Sequence, residues 1–326
     1  MREHLDNLLE SAFTSISIPD EPASLYDPVR YTMDFGGKRF RPRLVLLTAG
    51  LCGGELEEAL PVALAVEMLH NFTLIHDDIM DNANTRRGKP SVHKKWDKPT
   101  AILSGDVLFA LAMKQLNEYG NGEPEFLQTR ARLMSRFLDV IQTVCDGQAL
   151  DMEFQSRDDV TTEEYLAMIR AKTAALIRCS MEMGAIVAGA DDQMLRKCAD
   201  IGNHTGLAFQ IQDDLLDAVG DSGKFGKKVG GDIIEGKKTY LSILALERAD
   251  DTDRNVLKQI LGNSKTGESE ILRVIRIYHD LGVIDSAAKA VTRHYQSARQ
   301  QLELFEESDF RNEINVLLDK LKVRDN

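Results

Sequence analysis

The stretch Leu64-Ala65-Val66-Glu67-Met68-Leu69-His70-Asn71-Phe72-Thr73-Leu74-Ile75-His76-Asp77-Asp78-Ile79-Met80-Asp81 decides how this chain is read. It ends a run from 56 to 80 in which apolar residues recur at three- and four-residue spacing, which predicts a helix. At ~100° per residue, His70, Asp77 and Asp81 fall within roughly 20° of one line along that helix. One face therefore carries an imidazole and two carboxylates. A second stretch, Gln210-Ile211-Gln212-Asp213-Asp214-Leu215-Leu216-Asp217, repeats the device, because 210, 213, 214 and 217 follow the i, i+3, i+4, i+7 stripe. Like charges one turn apart weaken a helix by roughly 0.2–0.5 kcal/mol per pair, so a cation should offset the repulsion. Hard carboxylate oxygens suit Mg²⁺, which keeps several waters and commonly bridges one or two carboxylates to substrate phosphates. Either cluster alone reads equally as a solvated helix end or a weak Ca²⁺ site. Neither has the alternating ligands and central glycine of a Ca²⁺ loop, and two such clusters on apolar helices favour a metal-bridged polyanion.

Outward from these clusters the same spacing continues, in Ala101 to Tyr119, Phe126 to Phe154, Glu163 to Ala190 and Met194 to Val219, while strict alternation is scarce. The expected fold class is all-α, with long helices. No linker or shift of composition divides the 326 residues, 43% of them hydrophobic, so residues 1–326 are expected to form a single domain. Two segments break the pattern, Gly36 to Pro42 and the glycine- and lysine-rich stretch from Asp221 to Lys238, and both read as mobile basic loops.

The formal charge of −12 argues against holding nucleic acid or an anionic membrane by overall electrostatics. An anionic substrate must then meet local basic groups. The first residues lack a basic segment followed by an apolar run, and no stretch is expected to be long and apolar enough to span a bilayer. Cys52, Cys145, Cys179 and Cys198 lack metal-type spacing and are expected to be free core thiols in a reducing cytoplasm.

Basic groups lie beside the acidic ones. Arg86 and Arg87 follow the first cluster directly, and guanidinium forks bind phosphate oxygens in pairs. Lys38, Arg39 and Arg41 come from the first glycine loop; Lys227, Lys228, Lys237 and Lys238 form a third set. Three basic sets and two acidic ones imply two diphosphates, one bound through metal and the other through side-chain cations alone.

These motifs together resemble the trans-isoprenyl diphosphate synthases over essentially the whole chain. Gly36-Gly37-Lys38-Arg39-Phe40-Arg41-Pro42 is similar to the family's glycine loop, and Asp77 to Asp81 with Arg86-Arg87-Gly88 to its first aspartate-rich motif. Gly105-Asp106, Lys172-Thr173, Phe209 to Asp214, and Gly226 to Asp232 followed by Gly236 to Thr239 complete the set. The resemblance implies a bundle of long, mostly antiparallel helices around a deep cavity, usually a homodimer, that condenses an allylic diphosphate with isopentenyl diphosphate. It implies that Lys38, Arg41, His70 and Arg87 hold isopentenyl diphosphate. Asp77, Asp81 and Asp213 would ligate Mg²⁺, three ions per site, with Asp78, Asp214 and Asp217 close behind. Arg86, Lys172, Lys237 and either Lys227 or Lys228 would hold the allylic diphosphate, and Thr173 and Gln210 would turn their oxygens toward the developing allylic cation.

Product length is read from the same resemblance. Phe72 lies five residues before Asp77, ~7.5 Å along the helix, followed by Thr73, and an aromatic there resembles the floor of short-chain enzymes. With no insertion between Asp78 and Asp81, the first motif looks more like geranylgeranyl than bacterial farnesyl synthases, so a C20 product is expected ahead of C15. A terpene cyclase needs only one diphosphate site and leaves Lys38 and Arg41 without purpose. A non-catalytic subunit is expected to have lost aspartates that are all present here.

Overall fold

A computed structural model describes residues 1–219 and 230–322. In chain order the helices are α1 (Arg2–Thr14), α2 (Ala23–Met33), α3 (Phe40–Leu51), α4 (Leu56–Met80), α5 (Val92–Lys95), α6 (Lys98–Asn117), α7 (Leu127–Phe154), α8 (Thr162–Ile169), α9 (Ala175–Val187) and α10 (Asp192–Val219). They continue as α11 (Gly231–Glu235), α12 (Tyr240–Arg248), α13 (Asp251–Ile260), α14 (Glu268–Asp280), α15 (Val283–Leu302) and α16 (Asp309–Lys322). The only strands among the described residues are β1 (Thr85–Arg86) and β2 (Lys89–Pro90), an antiparallel pair. The fold is all-α, as the periodicity predicts.

The chain separates into two compact units. The first comprises Met1–Leu138, Cys179–Cys198 and Glu307–Ile314. Its centre is α4, which packs mainly on α6 and α3. Val62, Ala63, Ala65, Val66, Met68 and Leu69 are all buried, so apolar residues surround the helix instead of forming one stripe. This overturns one expectation from the sequence. By length and composition α4 is apolar enough to cross a bilayer, because a helix enclosed on every side needs the same composition; 61% of its most apolar window is buried inside the protein.

The second unit comprises Asp139–Arg178, Ala199–Glu306 and Asn315–Asn326, less the undescribed positions. Tyr165, Met168, Leu207, Ile211, Tyr278 and Tyr295 form part of its core, and among the later helices α12 packs on α15 and α14, and α14 on α13 and α15.

Local signals explain the element boundaries. Asp97 caps α6 by accepting the Thr100 N–H at 2.7 Å, and Pro99 in the first turn has no amide proton to waste. Thr161 and Glu164 form a reciprocal capping box at α8. The expected helix from Glu163 to Ala190 is interrupted, however, by a π turn over Arg170–Ala174, and it ends at Val187 before Gly189, whose φ is +70°. Gly36 to Pro42 also differs from the expected mobile loop. Phe40, Arg41 and Pro42 already belong to α3, and Arg39 is held by the Met33 carbonyl at 2.7 Å and Glu67 at 2.9 Å, with its guanidinium over the Phe13 ring. Cys145 is exposed on α7, not a core thiol; the pattern places it in an apolar helix but does not say which face it takes.

Candidate active site

The acidic end of α4 is bonded to the hairpin that follows it. Asp78 points inward and is buried, and Arg86 on β1 donates to its Oδ1 from Nε at 2.9 Å. Burial pushes the Asp78 carboxyl above its ordinary range, against the opposing bond from Arg86. Asp77, one position earlier, is half-buried and 3.8 Å from the same guanidinium, while Asp81 is exposed at the C-cap. Asp77 and Asp81 are thus the accessible acids here and Asp78 the anchored one.

Arg87 is the next residue, yet it joins a different set of groups. It occupies the hairpin turn with Gly88, both at positive φ, as a two-residue turn of the primed type requires. From there its guanidinium bonds the Gly36 carbonyl. A Cβ at Gly37 would meet that guanidinium and displace it, and the φ of +127° is what calls for glycine at 37. Close by, Arg41 Nη1 lies 3.1 Å from His70 Nε2. A guanidinium can only donate, so Nε2 accepts and the imidazole proton sits on Nδ1. Burial, then Arg41, Arg87, Arg86 and Arg39, hold the His70 pKa well below its ordinary value, leaving it neutral. Burial lowers Arg41 itself to about 10, with Glu67 opposing and Arg87 assisting. Arg41 Nε is buried with no partner. Lys38 is exposed at the edge of this group. Four arginines thus act on one neutral imidazole; Glu67 pairs with Arg39 and Asp78 with Arg86, which leaves Arg41 and Arg87 as a surplus of positive charge that suits an anion.

Phe72 lies on α4 between these two groups. Its ring is 4.8 Å from His76 and 5.5 Å from Phe109 of α6. Thr73 donates back to the His70 carbonyl at 2.8 Å. The two helices approach closely here, because a Cβ at Gly105 would collide with His76.

In the second unit the π turn carries Lys172 and Thr173. Lys172 Nζ is 2.5 Å from Asp151 Oδ2 of α7. The turn touches its neighbours backbone to backbone, since a Cβ at Gly147 would strike Lys172 N and one at Gly206 would strike Ala174. Thr173 donates to Gln210 Oε1 at 2.9 Å, and Gln210 Nε2 donates to Asp214 Oδ1 at 3.1 Å. Because a carboxylate accepts only, Asp214 fixes which way the Gln210 amide faces, and Thr173 then receives its oxygen.

Asp214 is buried and engaged on both oxygens, since Oδ2 also takes the Tyr165 hydroxyl and the Tyr240 N–H at 2.9 Å. Burial raises its pKa to about 6 despite those bonds. Asp213 is exposed and Asp217 half-buried, one turn apart on α10. Asp217 Oδ2 accepts the Asp232 N–H at 2.8 Å. Asp232 rises to about 7 through burial and the fields of Asp217, Asp214 and Asp213, with Lys237 opposing. Lys227 and Lys228 lie outside the described residues.

Glu67, Asp151, Tyr165 and Asp232 support these groups and were not singled out from the sequence. Two had a signal there: Glu67, three residues before His70 on the same helix and charged in an otherwise apolar run, and Asp232, which ends the motif from Gly226. Among the described residues no three acids, imidazoles or thiols converge tightly enough to hold an ion unaided. The donor chemistry still fits Mg²⁺ in each unit taken by itself: Asp77 and Asp81 offer hard oxygens in the first, and Asp213 does so in the second, where Asp217, Asp214 and Asp213 add to the burial that raises Asp232.

Comparison with known proteins agrees with this chemistry. A family model described as polyprenyl synthetase matches residues 22–278. A short chain isoprenyl diphosphate synthase of Methanothermobacter thermautotrophicus is 42% identical over 304 residues, 93% of this chain and 91% of that protein. A geranylgeranyl pyrophosphate synthase of Geoglobus acetivorans is 39% identical over 94% of this chain and 92% of its own. The solved geranylgeranyl pyrophosphate synthetase of Pyrococcus horikoshii superposes with a TM-score of 0.91 at 34% identity, covering 99% of this chain and 96% of that one. With two aspartate-bearing helices, a family model matching residues 22–278 and relatives of this kind over nearly its full length, the chain belongs to the polyprenyl synthetase family.

Proposed function

We propose that the chain condenses an allylic diphosphate with isopentenyl diphosphate, head to tail, to give geranylgeranyl diphosphate. The observation that carries this reading is the cluster of Arg41, Arg87 and neutral His70, a cationic group in which neither arginine is ion-paired with Asp77, Asp78 or Asp81. An enzyme handling one metal-bound diphosphate has no use for it. Farnesyl diphosphate is the alternative product.

Arg41, Arg87 and Lys38 bind isopentenyl diphosphate by charge and paired hydrogen bonds, with His70 donating from its protonated Nδ1 or orienting Arg41 through Nε2. Asp77 and Asp81 of the first unit and Asp213 of the second would hold Mg²⁺, which would supply positive charge to offset that of the departing diphosphate. Lys172 and Lys237 add fixed positive charge to the same task, and Asp151 holds Lys172 in place. The Thr173 hydroxyl, its proton committed to Gln210, presents only lone pairs toward a developing allylic cation. Isopentenyl diphosphate attacks that carbon through its double bond, and being held beside it supplies much of the rate. Phe72 and Thr73 limit how far the apolar product extends.

The reading extends to one catalytic domain, supported by a family match that runs through both units. It includes a homodimer, supported by apolar side chains left exposed at Leu103, Leu127 and Leu138, and a cytoplasmic setting, supported by four cysteines that form no disulfide among the described residues. The test is to incubate purified protein with isopentenyl diphosphate, Mg²⁺ and each of the C5, C10 and C15 allylic diphosphates, then size the dephosphorylated products. A dominant C20 alcohol is expected, a C15 stop would move the floor, and no Mg²⁺-dependent condensation with any starter would defeat the proposal.

A further inference from the structure

Cys52 and Cys198 are 146 residues apart in sequence, yet their sulfurs lie 3.9 Å apart. Cys52 caps the C-terminus of α3 on the turn leading to α4, and Cys198 sits in the second turn of α10; both belong to the first unit. Cys198 is buried and Cys52 partly exposed, so one sulfur is reachable from solvent and the other waits behind it. A disulfide of ~2.05 Å needs the sulfurs to close by about 2 Å, within reach of a side-chain rotation at Cys52, which borders solvent.

We propose that Cys52 and Cys198 form an oxidisable pair that closes into an intrachain disulfide, with Cys52 the attacking thiol and a hydroperoxide the oxidant. The roles follow from the surroundings. Either sulfur can donate across the 3.9 Å contact, and with the Cys198 S–H donating the Cys52 thiolate is favoured against the burial that opposes it. The same bond, burial and the field of Glu182 push the Cys198 thiol up, with Lys197 opposing. The Cys52 thiolate attacks the peroxide oxygen, the O–O bond breaks, and the departing alkoxide or hydroxide takes a proton. Cys52 is left as a sulfenic acid. Cys198 then loses its proton as its sulfur attacks the Cys52 sulfur; the S–O bond breaks, water leaves and the S–S bond forms. Two electrons have passed from the sulfurs to the peroxide. The bond would close a loop holding α4 through α9 and so restrict the unfolded chain.

The experiment treats the full chain carrying Cys145→Ser, which removes the exposed thiol, with hydrogen peroxide and follows it by mass spectrometry after alkylation. The expected result is loss of two hydrogens, a linked peptide containing Cys52 and Cys198, reversal by dithiothreitol, and a thermal midpoint higher by roughly 5–10 °C. Adding Cys52→Ser abolishes the link while leaving turnover of the untreated enzyme unchanged. Recovery of both cysteines as alkylated thiols after treatment would overturn the proposal, as would a Cys52 sulfenic acid that persists unlinked.

Discussion

The ring of Phe72 on α4 lies 5.5 Å from that of Phe109 on α6, tilted by 34°. A single ring on one helix can turn aside when an apolar chain presses on it; two rings braced across a helix pair resist. Phe72→Ala is expected to lengthen the product past C20, and Phe109→Ala to do so partially by freeing Phe72 to rotate. Chromatography of the dephosphorylated alcohols decides this, and an unchanged product from Phe72→Ala removes that residue from the role.

Gly147→Ala puts a methyl group against the backbone of Lys172. The π turn must shift, at a cost of about 1–3 kcal/mol in stability. Turnover is expected to fall more than tenfold with little change in the KM for isopentenyl diphosphate. Urea unfolding and steady-state kinetics on one preparation test both parts.

Thr173→Val keeps the shape of the side chain and removes its oxygen. The loss of one oriented dipole near a forming cation should lower kcat by roughly 10- to 100-fold, and Gln210→Ala should give a similar loss. If the two residues act through their hydrogen bond, the double variant is not much worse than either single one.

Gly37→Ala must push the Arg87 guanidinium aside. The KM for isopentenyl diphosphate is expected to rise roughly tenfold, worth about 1.4 kcal/mol, while that for the allylic substrate stays within about twofold. Equal rises in both would show that Arg87 serves the two substrates alike.

His204 on α10 and His294 on α15 face each other with Nδ1 atoms 2.9 Å apart, so one donates and the other accepts. Burial lowers both pKa values, His294 to about 4 with His204, Arg293 and Arg170 adding to the effect. Asp200 opposes the shift at His204, where Arg170 and Arg293 reinforce it. Depressed folded values mean that the unfolded chain takes up protons first. The stability these groups contribute is full above an unfolded value near ~6.5 and is lost as pH falls toward about 4. Allowing for their partial exposure, the loss is about 1–2 kcal/mol. Urea midpoints at neutral pH and near pH 5 should diverge less in His294→Gln than in the parent.

The helix from Leu56 to Met80 was legible to the residue, because Pro61 sits near its start, an apolar run fills it and an acidic cluster ends it. The π turn was not legible. Arg170-Ala171-Lys172-Thr173-Ala174 has ordinary helical residues, and its widened hydrogen bonding accompanies backbone contact with Gly147 and Gly206, which lie far off in sequence. Among the aspartates, spacing identified the clusters but could not say which acid turns inward. Asp78 and Asp214 are each the second of an Asp-Asp pair, and only packing shows that one is taken by Arg86 and the other by Tyr165, Gln210 and the Tyr240 amide. Arg39 looked like a third cation of the glycine loop; Glu67 and the Met33 carbonyl, both outside that loop, claim it.

The hairpin of β1 and β2 sends two neighbouring arginines to opposite tasks, Arg86 to Asp78 and Arg87 to the Gly36 carbonyl. Pairing of Thr85 with Pro90 and of Arg86 with Lys89 leaves only Arg87 and Gly88 to turn the chain, and each has its own backbone requirement. A single uncharged residue inserted here would shift the register that aims the two guanidinium groups without altering net charge. An exposed surface turn of this size ordinarily tolerates changes of length; this one functions as a ruler, and any redesign of the enzyme should hold its count fixed even where it alters every neighbouring side chain.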